Sequence, residues 1–268
     1  MPHTAAADGT AIGFDVAGSG EPLGLLAGQA NSRHWWDPVR ADFAAVHRTV
    51  APDTVGTGES DEPADGRYAV DRFAADVVAV LDELGIARAH VYGTSMGGRV
   101  AQRLALDHPD RVGALVIGCT SPGGAGALLA DPEVVRPLAL SKRQAREALL
   151  GLMFTPEYVR RHTGPYHVLG DPGMSLAARR GHKRASDAHD AWDELAGITA
   201  PTLVLHGSDD LFTPVDNAKR LATRIPGAEL VIFEGARHAY FEEFRDRATP
   251  AVLDFLARHP LRDQPLRD

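Results

Sequence analysis

The chain has 268 residues, 44% hydrophobic and 24% charged, with 28 basic against 36 acidic side chains. That is the composition of a globular protein rather than a disordered, collagen-like or coiled-coil one. A net charge of −8 excludes a phosphate-backbone binder, which needs a basic face. The single cysteine, Cys119, excludes an intramolecular disulfide and fits a reducing compartment. No apolar run approaches the roughly 18 residues of a membrane helix. The start, Met1-Pro2-His3-Thr4, lacks the basic and apolar pattern of a signal peptide. The expectation is a cytoplasmic monomer or homodimer acting on a small molecule, with no nucleic-acid or membrane partner.

Short apolar runs alternate with helical patterns along the chain. Strands are predicted at Ala11–Val16, Leu23–Ala27, Arg48–Ala51, His90–Tyr92, Leu115–Ile117, Thr202–Leu205 and Leu230–Phe233. Several are apolar throughout, as in strands covered on both faces. Helices are predicted at Val70–Leu84, Met96–Leu106 and Ala248–Leu256. In the first, Phe73, Val77, Val80, Leu81 and Leu84 recur at spacings of three and four, and Gly85 ends the pattern. Strand–helix alternation predicts an α/β protein with a mostly parallel sheet. Residues 121–197 break the alternation and carry no strand pattern. Ser141 and Gln144 have capping-box spacing, and Asp131-Pro132 and Thr155-Pro156 read as N-caps followed by proline. This segment reads as a helical cap inserted in a core formed by 1–120 and 198–268. A Pro-Leu-Arg-Asp repeat at 260–263 and 265–268 reads as a frayed tail.

The chemistry points to His90-Val91-Tyr92-Gly93-Thr94-Ser95-Met96-Gly97-Gly98. Here a strand runs through Gly-Thr-Ser-Met-Gly directly into a helix, the geometry that projects a serine hydroxyl as a nucleophile. Such a turn crowds its neighbours, and glycines stand two positions before and after Ser95. At the helix start the Met96 N–H is free to meet an oxyanion. A base must follow in the chain. Of 12 histidines, chain order leaves His238, in the loop after the strand Leu230–Phe233, while His206 reads as a hydrogen-bonded strand-end residue. Two acids, Asp209 and Asp210, end the strand Thr202–Leu205. Spacing alone leaves both open.

Together with Trp36-Asp37-Pro38, the run Pro52–Asp61, Leu81–Ile86, His206–Asp210 and Gly235–His238, the chain resembles the α/β-hydrolase fold family. Within that family it resembles serine esterases, cofactor-free perhydrolases and enol-lactonases, especially the 3-oxoadipate enol-lactonase-like branch. The resemblance implies an eight-stranded sheet flanked by helices, with 121–197 as the cap. It selects Asp210, three residues after Gly207 and four before Pro214, as the acid. It also assigns the second oxyanion donor to the Gln29 N–H, although Ala27-Gly28 replaces the usual His-Gly. Val55 stands where the family's arginine would be, which predicts the loss of a charge partner near Asp53.

The function expected is hydrolysis of a small, fairly apolar ester or lactone through an acyl-enzyme, without cofactor or metal. Alternatives on the same fold are carbon–carbon hydrolysis, acyl transfer, a non-hydrolytic rearrangement, or slow-turnover ligand binding. Trp35, Trp36, Phe154, Tyr166, Phe212 and Tyr240 are candidate pocket residues. His182, Asp187, His189, Asp190 and Asp193 read as a solvated helix face rather than a metal site, since they lack a compact ligand set.

Overall fold

The seven apolar runs and one further strand form one eight-stranded sheet in the computed structural model, which describes residues 2–261. The strands are β1 (His3–Ala5), β2 (Ala11–Ala17), β3 (Pro22–Leu26), β4 (Arg48–Pro52), β5 (Ala89–Thr94), β6 (Val112–Gly118), β7 (Thr202–Gly207) and β8 (Glu229–Phe233). The short β1 has no counterpart in the sequence reading. Its residues are exposed or half-buried and carry no apolar run. Spatial order is β1-β2-β4-β3-β5-β6-β7-β8, antiparallel through β1, β2 and β4 and parallel from β4 onward.

Before residue 121 lie α1 (Asp37–Ala44), α2 (Val70–Glu83) and α3 (Met96–Asp107). Within 121–197 lie α4 (Pro132–Val135), α5 (Lys142–Met153), α6 (Pro156–Arg161) and α7 (Leu176–Ala188). After it come α8 (Asp216–Arg224), α9 (Tyr240–Glu243) and α10 (Arg245–Arg258). The cap signals act as their chemistry dictates. Asp131 accepts from Glu133 N–H at 2.9 Å, Thr155 from Tyr158 N–H at 3.2 Å, and Ser141 Oγ from Gln144 N–H at 3.5 Å. Each such cap is typically worth about 1 kcal/mol. Segment 121–197 contains one isolated bridge, Gly123 with Asp190, and no named strand.

Every residue of β5 and β6 is buried, because helices cover both faces. Alternation sends Val91 to one face, against Phe73 and Val77 of α2 and Val100 and Leu104 of α3. It sends Tyr92 to the other, against Phe43 of α1 and Phe255 of α10. Among the described residues no helix is long and apolar enough to cross a membrane. The Pro-Leu-Arg-Asp repeat lies largely outside the described residues.

This topology sets the site. The chain moves from β3 to β4 on one side, then crosses to β5 on the other. Ligands of open α/β sheets bind beyond the carboxyl ends of strands at such a switch point. The ends of β3, β5, β7 and β8 carry the loops of Gln29, Ser95, Asp210 and His238 respectively.

Candidate active site

Ser95 joins β5 to α3 with φ 55° and ψ −123°, a conformation that L-residues disfavour. The flanking glycines explain how the turn closes. A Cβ on Gly93 would stand 2.2 Å from Gly97 O, and one on Gly97 would stand 2.1 Å from Leu26 O. Ser95 N–H donates to Gly118 O at 2.9 Å, and Thr120 Oγ1 donates to Ser95 O at 2.7 Å. The backbone of the half-buried Ser95 is thus tied to the end of β6, while its side chain makes no capping bond to α3.

His238 and Asp210 are fully buried in their side chains, and His238 Nδ1 donates to Asp210 Oδ2 at 2.8 Å. Asp210 Oδ1 accepts from the N–H groups of Phe212 and Thr213 at 2.9 and 2.8 Å. His206 Nε2 reaches Asp210 Oδ2 at 3.2 Å and Thr213 O at 2.7 Å. Burial alone would raise the Asp210 pKa. The charge and hydrogen bond of His238, with the hydrogen bond of His206, outweigh burial and hold it well below the usual carboxylate range. Asp209 is exposed and accepts from Ser208 Oγ at 2.7 Å. Of the two acids, the fold therefore turns only Asp210 toward the imidazole. Among the described residues, the buried His238 Nε2 has no hydrogen-bond partner. An imidazole with one nitrogen held by a carboxylate and the other unspent is equipped to accept a proton.

Neither the Gln29 nor the Met96 backbone N–H has a protein acceptor among the described residues. Met96 opens α3, where intrahelical acceptors do not exist. Gln29 lies in the turn after β3, the neighbour of β5.

Comparison with known proteins matches residues 22–149 to a model described as the alpha/beta hydrolase fold and residues 178–264 to one described as TAP-like protein. A protein of Variovorax paradoxus (strain S110), named by inference as the carbamate hydrolase RutD, is 33% identical over 91% of this chain and 96% of its own. The chain belongs to the α/β-hydrolase fold family. Among solved α/β-hydrolase structures, the esterase RhEst1 from Rhodococcus sp. ECU1013 superposes with a TM-score of 0.83 at 29% identity, covering 97% of this chain and 99% of that one. The enol-lactonase from Burkholderia xenovorans LB400 gives 0.81 at 28%, covering 96% and 100%. Like these relatives, this α/β-hydrolase is a hydrolytic enzyme.

The structure sets the candidate pocket rings in different surroundings. Trp36 packs on Tyr92 and Phe241 with ring centroids 4.7 and 5.3 Å apart, and Tyr240 stacks on Phe233 while sharing a 2.9 Å hydrogen bond with the Tyr92 hydroxyl. Trp35 is equally buried, its Nε1 donating to Thr94 Oγ1 at 2.8 Å. All three belong to the packed aromatic layer against the sheet, where large rings bury most area. Phe154 is also fully buried, stacked on Tyr158 at 4.7 Å, and Tyr166 lies half-buried beside it. Phe212 stands edge-on to His238 at 5.1 Å, the candidate pocket ring in contact with the site.

His182 and His189 are buried, so this stretch of segment 121–197 is not a fully solvated face. No metal-binding group of acidic, histidine and cysteine residues occurs among the described residues. Asp53 keeps a charge partner despite Val55, because the buried guanidinium of Arg33 pairs with it. Arg33 lies 20 residues upstream, beyond the reach of any local motif. The second imidazole on Asp210, His206, carried only the signal of a histidine at a strand end.

Proposed function

We propose that this α/β-hydrolase cleaves small, neutral, fairly apolar carboxylic esters or lactones through an acyl-enzyme on Ser95. The observation that carries the proposal is the unspent Nε2 of His238 beside a Nδ1 committed to Asp210. As Ser95 Oγ attacks the carbonyl carbon, its proton passes to His238 Nε2, and Asp210 stabilises the imidazolium. The developing oxyanion accepts from the Gln29 and Met96 N–H groups, each typically worth about 2.7–4 kcal/mol to the transition state. The tetrahedral intermediate collapses as His238 gives its proton to the leaving alkoxide. Water, deprotonated by His238, then attacks the acyl carbon and releases the acid and Ser95. Each step uses groups of this chain and water.

The substrate class follows from what relatives do and from where the charges lie. An esterase and an enol-lactonase, by name, share the fold at high coverage. In segment 121–197, which we assign as the cap, Arg160, Arg161, Lys183 and Arg184 are exposed. Arg161 pairs with Glu157 at 2.7 Å and Lys183 with Asp187 at 2.6 Å, each one helical turn apart. None of these four offers an unpaired, buried cation for a substrate carboxylate. The test is labelling with a fluorophosphonate probe alongside a panel of neutral esters and lactones. Stoichiometric modification at Ser95 with turnover of the panel is expected. Turnover of the panel without reaction at Ser95 would overturn the assignment.

A further inference from the structure

The loop carrying Gln29 is held chiefly from above, by segment 121–197. Ala30 has φ 57°, a left-handed conformation for a residue with a side chain. The peptide between Gln29 and Ala30 is pinned at both polar ends. Its carbonyl, Gln29 O, accepts from Asn31 Nδ2 at 2.8 Å, and its N–H, on Ala30, donates to His182 Nδ1 at 3.2 Å. Two further bonds descend from the same segment. Asp171 N–H donates to Ala30 O at 2.7 Å, and Gly170 N–H donates to Asn31 Oδ1 at 2.8 Å.

His182 is built for one orientation. It is fully buried on α7, its ring centroid 5.7 Å from that of Tyr68 and 5.3 Å from that of Phe73. Nε2 lies 2.8 Å from Val55 O, an acceptor only, so Nε2 carries the hydrogen and Nδ1 is left with a lone pair for Ala30 N–H. Burial, reinforced by the charge of Arg179, lowers its pKa to about 4, so the lone pair persists at neutral pH.

We propose that His182 is a positioning residue of the oxyanion hole: by gripping Ala30 N–H it fixes the Gln29–Ala30 peptide and thereby aims the preceding Gln29 N–H at the reacting carbonyl. The proposal rests on the Ser95 reading above. It makes the cap a component of the catalytic apparatus as well as a wall for substrate, because an oxyanion donor acts only within a narrow range of distance and direction.

The test compares His182→Phe, which keeps an aromatic ring between Tyr68 and Phe73 but loses both hydrogen bonds, with His182→Asn, whose Oδ1 stands in for Nδ1. For a neutral ester, His182→Phe should lower kcat by about 10–100-fold with KM changed less than about threefold. His182→Asn should recover much of that loss. Affinity for a trifluoromethyl ketone, which forms an oxyanion on Ser95, should fall in parallel with kcat/KM. Should His182→Phe fail to fold, the ring-nitrogen resonances of wild-type His182 decide: hydrogen on Nε2 alone at neutral pH supports the proposal, and hydrogen on Nδ1 overturns it. A folded His182→Phe with kcat within about threefold of wild type, still labelled at Ser95, overturns the positioning role alone. Absence of labelling in the wild type overturns the serine reading and this proposal with it.

Discussion

Asp210 Oδ2 lies 2.8 Å from His238 Nδ1, and its neighbour Asp209 points away into solvent. Only the first carboxylate can fix the imidazole tautomer. Asp210→Asn should therefore lower kcat by roughly 10³–10⁴-fold, while Asp209→Asn stays within a few-fold of wild type. Steady-state kinetics on the two purified variants check the ranking, and the reverse order would exchange their roles.

Ser95 combines the proposed nucleophile with a strained backbone, φ 55°. Ser95→Ala should lose ester turnover with little change in Tm, because alanine inherits the same strain. Ser95→Gly should be inactive and melt higher, since glycine tolerates this region and such strain costs on the order of 1–3 kcal/mol. Calorimetry of the three proteins gives the comparison. A glycine variant no more stable than the alanine variant would show that the elbow is not strained.

Gly97 has no room for a methyl group, because a Cβ would stand 2.1 Å from Leu26 O and 2.7 Å from Ala27 O. Gly97→Ala must push α3 away from β3 and with it Met96 away from Gln29. Both stability and turnover should fall. Denaturant unfolding should register a loss of about 3 kcal/mol or more, in the range of mutations that break a special backbone position. Gly85→Ala is the control, since nothing lies within 4 Å of its Cβ position and only its φ of 65° opposes the change; it should cost far less and leave turnover intact.

Glu242, on α9, is buried, and burial pushes its pKa up to about 7, with Glu243 adding repulsion and the Tyr158 hydroxyl opposing it. In the unfolded chain the same carboxyl titrates near 4.3. Between these values the folded protein holds a proton that the unfolded chain has lost. Stability should therefore fall as pH rises from about 4 to 7 and level off above that. Glu242→Gln removes this term, so its Tm relative to wild type should climb from pH 5 to pH 8, by the equivalent of on the order of 1–3 kcal/mol. A Tm difference independent of pH would mean that the carboxyl titrates normally.

Substrate choice should be neutral over charged. Matched esters differing only by a terminal carboxylate, set in competition, should favour the neutral one. Alanine substitutions at half-buried pocket candidates such as Phe212 and Tyr166 should shift selectivity gradually, about 1–3 kcal/mol per lost contact. A strong preference for the carboxylate would direct attention to the basic residues of the cap.

The parts legible in the sequence were those coded at short spacing. Strand β5, the glycines at 93 and 97 and the start of α3 fall within one stretch of nine residues, because a tight strand–turn–helix admits few residue types. The apolar period of α2 and the N-caps at Asp131, Ser141 and Thr155 were readable for the same reason. Edge strand β1 was not, since a strand of three residues without an apolar face leaves no pattern. What the tertiary structure alone decided involves groups far apart in the chain. It turns Asp210, 28 residues before His238, toward the imidazole, supplies Asp53 with Arg33, and sinks Trp36 and Tyr240 into the core. It also brings His182 to Ala30 across 152 residues. Local sequence sets backbone preference, whereas the partner of a buried polar group is set by whichever distant side chain the packing delivers to satisfy it.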